Sequence, residues 1–200
     1  MAISLTYFDF DGSRGLECRL ALTVAGVPFE DVRLSREQWQ ALKPKTPFGA
    51  LPILADGDRQ LAQSNAILSY IGRGHGLLPA DPWEAAQHEA ILLSVEDLRV
   101  KLPDGKGQTE DDKKAAREAF AAGWLSQWAA TVSDKIAGPF LAGSQLSVAD
   151  IKLFVILRSY LAGTYDYVPA SVFDRFPKLL ALHAAVAAHP VVAGYFAGRK

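Results

Sequence analysis

The sequence predicts an α/β N-terminal domain followed by an all-α C-terminal domain. Three observations carry that expectation. Short β-rich runs are confined to the stretch before Gln63, where they alternate with helical patterns. Beyond Pro82 the apolar spacing is helical throughout. Between the two lies one clear linker, Gly74-His75-Gly76 followed by Pro79-Ala80-Asp81-Pro82.

The elements follow in order. Ile3 to Phe8 reads as a strand closed by Asp11-Gly12-Ser13. From Arg14 to Ala25, Leu16, Leu20 and Val24 recur at i, i+4 and i+8, the face of a helix that Gly26 ends. Strand character resumes from Val27 to Leu34, and Ser35 caps a short helix to Leu42. A loop with Pro47 and Gly49 leads into a strand opened by Pro52. Asp56-Gly57-Asp58 turns that strand back along Arg59–Ala62, because glycine accepts the positive φ of a tight turn. Ser64 then caps a helix to about Arg73. The resulting order, β-α-β-α-β-β-α, is the thioredoxin-like arrangement. After the linker, helices are expected over 83–102, 109–137, 147–163 and 176–188, with 101–114 a loose connection. Ser147-Val148-Ala149-Asp150 fits a capping box in which Asp150 replaces the usual Glu or Gln.

Bulk properties narrow the function classes. The chain has 200 residues, enough for a sizeable core, and half of them are hydrophobic. Its net charge of −1 leaves no basic footprint for nucleic acid. Cys18 is the single cysteine, so no internal disulfide and no Cys/His metal cluster can be written, which fits a reducing compartment. The four histidines, at 75, 88, 183 and 189, are scattered without ligand spacing. The start, Met1 to Tyr7, has neither the basic nor the long apolar region of a secretory signal. The apolar stretch 179–197 contains His183, His189 and Pro190, and reads as two packed helices split by the proline rather than a membrane span.

Several residues could carry chemistry. Tyr7 ends the first strand, where its hydroxyl is either that of a half-buried strand tyrosine or a donor to a bound thiol. A free thiol titrates near ~8.5, and lowering that by ~2 units needs about 2.7 kcal/mol of differential stabilisation. One charge-assisted hydrogen bond in a partly dry site is of that order. Ser13 and Arg14 open the first helix, where amides and dipole favour an anion; Ser13 is a rival activating hydroxyl or simply an N-cap. Ser64, after Gln63, either caps its helix alone or leaves amides for a carboxylate. Leu51 precedes Pro52, and a cis bond there would offer the Leu51 backbone as a strand edge to a peptide-like ligand. Trp39 and Lys43 share one helix face at i, i+4. Cys18 sits in an apolar pattern that suits a buried structural thiol.

Together these residues resemble the cytosolic glutathione transferases, and most of all their sigma class, over nearly the whole chain. The strongest pieces are Leu5-Thr6-Tyr7-Phe8, Trp39 through Lys43 to Thr46-Pro47-Phe48-Gly49-Ala50-Leu51-Pro52-Ile53-Leu54, Gln63-Ser64-Asn65-Ala66-Ile67 and Leu146-Ser147-Val148-Ala149-Asp150. The resemblance implies a glutathione-binding domain at 1–79 and a helical domain at 82–200 that contributes an electrophile pocket. Glutathione would be the co-substrate, with Tyr7 activating its sulfur and Arg14 bracing the site. The backbone of Ala50-Leu51, with Pro52 in cis, would pair with the cysteinyl unit. Gln63 and Ser64 would hold the γ-glutamyl end, and Trp39 and Lys43 the glycyl end. Asp97 would reach the γ-glutamyl amine across a homodimer. Phe8 and Phe10 would line the electrophile pocket. The implied setting is cytoplasmic, with no nucleic-acid or membrane partner.

The chain also departs from that pattern. The loop Asp9-Phe10-Asp11-Gly12 is one residue longer than usual. Prostaglandin D synthases of the class hold a divalent metal in an acidic cluster, but Leu93 replaces one of those acids here, so no metal is expected. Asp104 matches their pocket tryptophan, so prostaglandin-specific activity is not expected either. The resemblance leaves two further readings open. One is a glutathione-dependent isomerase, lyase or peroxidase for one metabolite, and the other is a non-catalytic relative on the same fold.

Overall fold

The computed structural model describes residues 3–198; the first two and last two residues, which the expected domain bounds and signal-free start include, lie outside them. Four strands form one sheet in the order β2-β1-β3-β4: β1 Ile3–Phe8, β2 Phe29–Leu34, β3 Ile53–Asp56 and β4 Arg59–Ala62. β1 runs parallel to β2 and antiparallel to β3, and β3 pairs antiparallel with β4. This is the expected mixed thioredoxin-like sheet with its terminal hairpin. The chain condenses into two units. One runs to Glu89 and takes in the stretch from Ala188 on; the other is Ala90–Ala187.

In the first unit, α1 spans Ser13–Val24, α2 Arg36–Leu42 and α3 Ser64–Gly74. The predicted face of α1 is only part of what is buried. Every residue from Gly15 to Leu22 is inside, including Glu17 and Arg19, because α3 and α9 (Pro190–Ala197) both pack on this helix, which also adjoins β1. Cys18 is fully buried, as its apolar setting suggested. Gly26, at φ +66°, closes α1 with two bonds, Gly26 N–H to Thr23 O and Val27 N–H to Leu22 O. Ser13 is not the N-cap: Gly12 occupies that position in extended conformation and its carbonyl accepts from Leu16 N–H. Ser35 does cap α2, in a capping box with Gln38.

The second unit is built on α7, Val148–Leu161, whose residues Val148 to Leu157 and Tyr160 are all buried. A helix buried on every side needs partners for each polar group it carries. Lys152 is fully buried and its Nζ bonds the Glu96 carboxylate of α4 (Pro82–Lys101) at 2.6 Å. The helix expected over 109–137 runs without interruption over 110–134 but carries a π-helical turn: α5 is Glu110–Phe120, the π turn Ala121–Leu125, and α6 Ser126–Asp134. There Ser126 Oγ donates to Ala121 O five residues back, the spacing of the wider turn. α8 spans Pro177–Ala188, and Pro190 opens α9. Among the described residues no single helix is long and apolar enough to cross a membrane.

Candidate active site

The register places the chemistry at one end of the sheet. Thr6 pairs with Ile53, and Ile53 with Ala62. One residue further along each strand therefore come Tyr7 on β1, Pro52 before β3 and Gln63 after β4. Residues far apart in sequence thus share a single edge.

At that end a cleft of about 630 Å³ opens within the first unit. Tyr7, Phe8, Phe10 and Trp39 line it, so the structure gathers four of the residues singled out in the sequence. Their rings form a continuous series. Tyr7 lies 5.5 Å from Phe8 and 5.6 Å from Phe10 between centroids, and Phe8 meets Trp39 edge-on at 6.1 Å. Tyr7 is buried to 6% exposure, whereas Phe10 is 46% exposed. The cleft thus has an aromatic floor in which the phenol of Tyr7 is buried, and polar side chains, Asp9 among them, also line it.

Sequence reasoning missed other lining residues. Arg36 and Gln40 stand one turn apart on α2, on either side of Trp39, and Ser35 begins that helix. The i, i+4 spacing of Arg36 and Gln40 was the available signal.

The lengthened loop after Tyr7 is held by charge. The Arg33 guanidinium of β2 bonds Asp9, Asp11 and Asp31 at 3.0, 2.8 and 2.8 Å. Arg19 of α1, itself fully buried, donates to Asp31 at 2.7 Å and to the carbonyls of Phe10 and Phe8 at 2.9 and 3.2 Å. Tyr195 of α9 donates to Asp11 at 3.1 Å. Partial burial works to raise the Asp31 pKa, but hydrogen bonds from Arg19 and Arg33 outweigh it and hold the carboxyl below its usual range. Burial works to lower the Arg33 pKa, and its three carboxylate partners override it and raise it.

The remaining candidates do not line the cleft. The Leu51–Pro52 peptide is cis. Lys43 follows α2 as its C-cap, its N–H on Trp39 O, and its side chain passes Gly49 so closely that a Cβ there would lie 3.7 Å from Lys43 Cε. Lys43 and the turn entering Ala50-Leu51 are thus neighbours. Arg14 is half-buried in the first turn of α1. Ser64 does not cap α3: it is the first helical residue and buried, and Gln63 takes the N-cap position, exposed, with no side-chain bond to the helix. Gln63 pays for that position with φ +74° and ψ 113°, a backbone region hostile to residues bearing a Cβ. Asp97 is exposed on α4, in the other unit.

A thioredoxin-like unit with this edge, followed by a helical unit, defines a class. Family models described as the glutathione S-transferase N-terminal and C-terminal domains match residues 3–73 and 96–199. The chain belongs to the glutathione S-transferase family. It is 31% identical to hematopoietic prostaglandin D synthase from Gallus gallus over 98% of this chain and 95% of that one. A stretch of 98 residues is 51% identical to glutathione S-transferase 1 of Ascaris suum, spanning 49% of this chain and about half, 47%, of that protein. In three dimensions it superposes on prostaglandin synthase D of Nilaparvata lugens with a TM-score of 0.86 at 29% identity, covering 100% of this chain and 99% of that one.

Proposed function

We propose that this transferase binds glutathione along the sheet edge from Trp39 and Lys43 through Ala50-Leu51-Pro52 to Gln63 and Ser64, with its sulfur at Tyr7. The observation that carries the reading is the placement of Tyr7: a buried phenol in the floor of an aromatic cleft, one residue beyond the Thr6–Ile53–Ala62 row. The Tyr7 O–H donates a hydrogen bond to the sulfur and favours thiolate over thiol. The proton leaves to solvent, and the sulfur lone pair attacks an electrophilic carbon whose leaving group departs with the bonding electrons. Phe8 and Phe10 supply apolar surface for the electrophile, and Arg14 braces the sulfur end. A homodimer in which Asp97 meets the γ-glutamyl amine completes the binding site, in a cytoplasmic setting.

No metal enters the reading. The support is Leu93, 59% exposed, which stands where the metal-holding pattern of the class carries an acid.

The test is the ultraviolet thiolate absorbance of bound glutathione against pH. The midpoint is expected below the ~8.5 of a free thiol. Tyr7→Phe is expected to raise it and to cut turnover about 10- to 1000-fold, the scale of one lost oxyanion-type donor. Unchanged turnover would sink the role of Tyr7 and promote Ser13.

A further inference from the structure

Gly15 lies in the first turn of α1 and is buried. Glycine is among the poorest residues for a helix interior, so its presence asks for a packing reason. The reason is Tyr7. A Cβ built on Gly15 would lie 2.0 Å from Cδ1, 2.5 Å from Cγ and 2.7 Å from Cε1 of the Tyr7 ring. Ordinary carbon contacts begin near ~3.5 Å, so even one methyl would drive the ring, the helix or both apart by more than ~1 Å. The ring rests where the side chain is missing.

One turn further on the same helix stands Arg19, at i+4 from Gly15 and hence on the same face. Its guanidinium carbon is 5.9 Å from the Tyr7 centroid. Its nitrogens bond the carbonyls of Phe8, which follows Tyr7 directly, and of Phe10. Phe8 and Phe10 in turn flank the Tyr7 ring. The ring is therefore seated on Gly15, faced by Arg19 and walled by two aromatics whose backbone Arg19 pins.

We infer that the Gly15–Arg19 face of α1 is a seat for Tyr7, and that Gly15 is the positioning residue that sets where the Tyr7 hydroxyl meets the thiol. The inference rests on the proposed role of Tyr7. Gly15 touches no substrate; it acts through the ring.

The test is a double-mutant cycle of Gly15→Ala and Tyr7→Phe in the full chain, with glutathione and an activated aryl halide as substrates. Gly15→Ala is expected to lower kcat about 10- to 100-fold, the scale of a misplacement near 1 Å, while KM for glutathione stays within about threefold. The titration midpoint of bound thiolate is expected to rise with it. In the Tyr7→Phe background the same change should cost no more than about twofold, because a ring without its hydroxyl has nothing left to aim. Losses that multiply in the double variant, or a midpoint that stays put while activity falls with the folded fraction, would overturn the inference and leave Gly15 a purely structural residue. A Tyr7→Phe protein with full turnover and an unmoved midpoint would instead remove the proposed role of Tyr7, and this inference with it. If Gly15→Ala yields no folded protein, Tyr7→Leu/Gly15→Ala decides. Recovery of the fold when the ring is removed supports the seat, and failure in both backgrounds shows that the glycine serves the helix alone.

Discussion

The starts of α3 and α7 look alike in sequence, each a serine ahead of an apolar helical pattern, yet the folded protein uses them in opposite ways. At α7 the capping side chains bond to the protein itself. Ser147 Oγ donates to Asp150 at 2.6 Å, and the Ser147 and Leu141 amides donate to the same carboxylate at 2.9 and 2.8 Å. Asp150 is fully buried. At α3 the cap position is held by an exposed Gln63 in a strained conformation with no side-chain bond to the helix. A helix start that spends its hydrogen bonds on itself is a folding device. One that bears strain and leaves the Gln63 side chain unbonded to the helix is free to take a different role, which under the proposed function is to hold glutathione.

The largest effect that could break this contrast is expected from Asp150→Ala. It strips partners from two buried amides and one hydroxyl, and should destabilise the protein by about 2–4 kcal/mol in chemical denaturation. The glutathione affinity of the remaining folded protein should stay within about twofold, and a large loss of affinity would blur the two helix starts into one kind. Gln63→Gly should give the opposite pattern. Glycine accepts φ +74° without penalty, so stability should rise by about 1 kcal/mol, while glutathione binds roughly 10-fold more weakly in calorimetry. Lower stability with unaltered affinity would mean that Gln63 serves the fold.

The smallest effect concerns pH and the surroundings of α7. Phe154 stacks on His183 of α8 at 4.9 Å, and His183 Nε2 is buried without a hydrogen-bond partner. Burial, helped by the charge of Arg158, lowers the His183 pKa below the usual 6.5. The unfolded chain then binds its proton first as pH falls, so this stabilisation is complete above about 6.5 and is lost as pH drops from there through the folded-state value. A fall in Tm of about 2 °C is expected between pH 7 and the acid end of that window, and His183→Phe should flatten it. An unchanged slope in that variant would place the acid sensitivity elsewhere.

Much of the molecule was legible because local rules carry it. The strand–turn–strand at Asp56-Gly57-Asp58, the Gly26 helix stop, the Ser35 cap and the Ser147/Asp150 box all follow from residues within a few positions of one another. What stayed hidden needed distant partners. Periodicity marked only Leu16, Leu20 and Val24 of α1, because the burial of Glu17 and Arg19 is imposed by α3 and by a helix near the far end of the chain. Gly15 carries no local signal, since nothing in its own neighbourhood says that a tyrosine eight positions back needs its space. Propensity favours the hydroxyls of Ser13 and Ser64 as caps, but the backbone gives those positions to Gly12 and Gln63, one residue earlier.

The bond from Tyr195 to Asp11 joins positions 184 residues apart. During synthesis the chain emerges at about 5–20 residues per second. The sheet and its first helices are therefore outside the ribosome for many seconds before the helix that closes over α1 exists. In that interval the apolar flank of α1 that α9 later covers has no cover, and the loop beside Tyr7 lacks one of its ties. The unit that holds the sheet is thus the first to emerge and the last to be completed, and a chain that lacks α9 leaves that flank of α1 open to solvent.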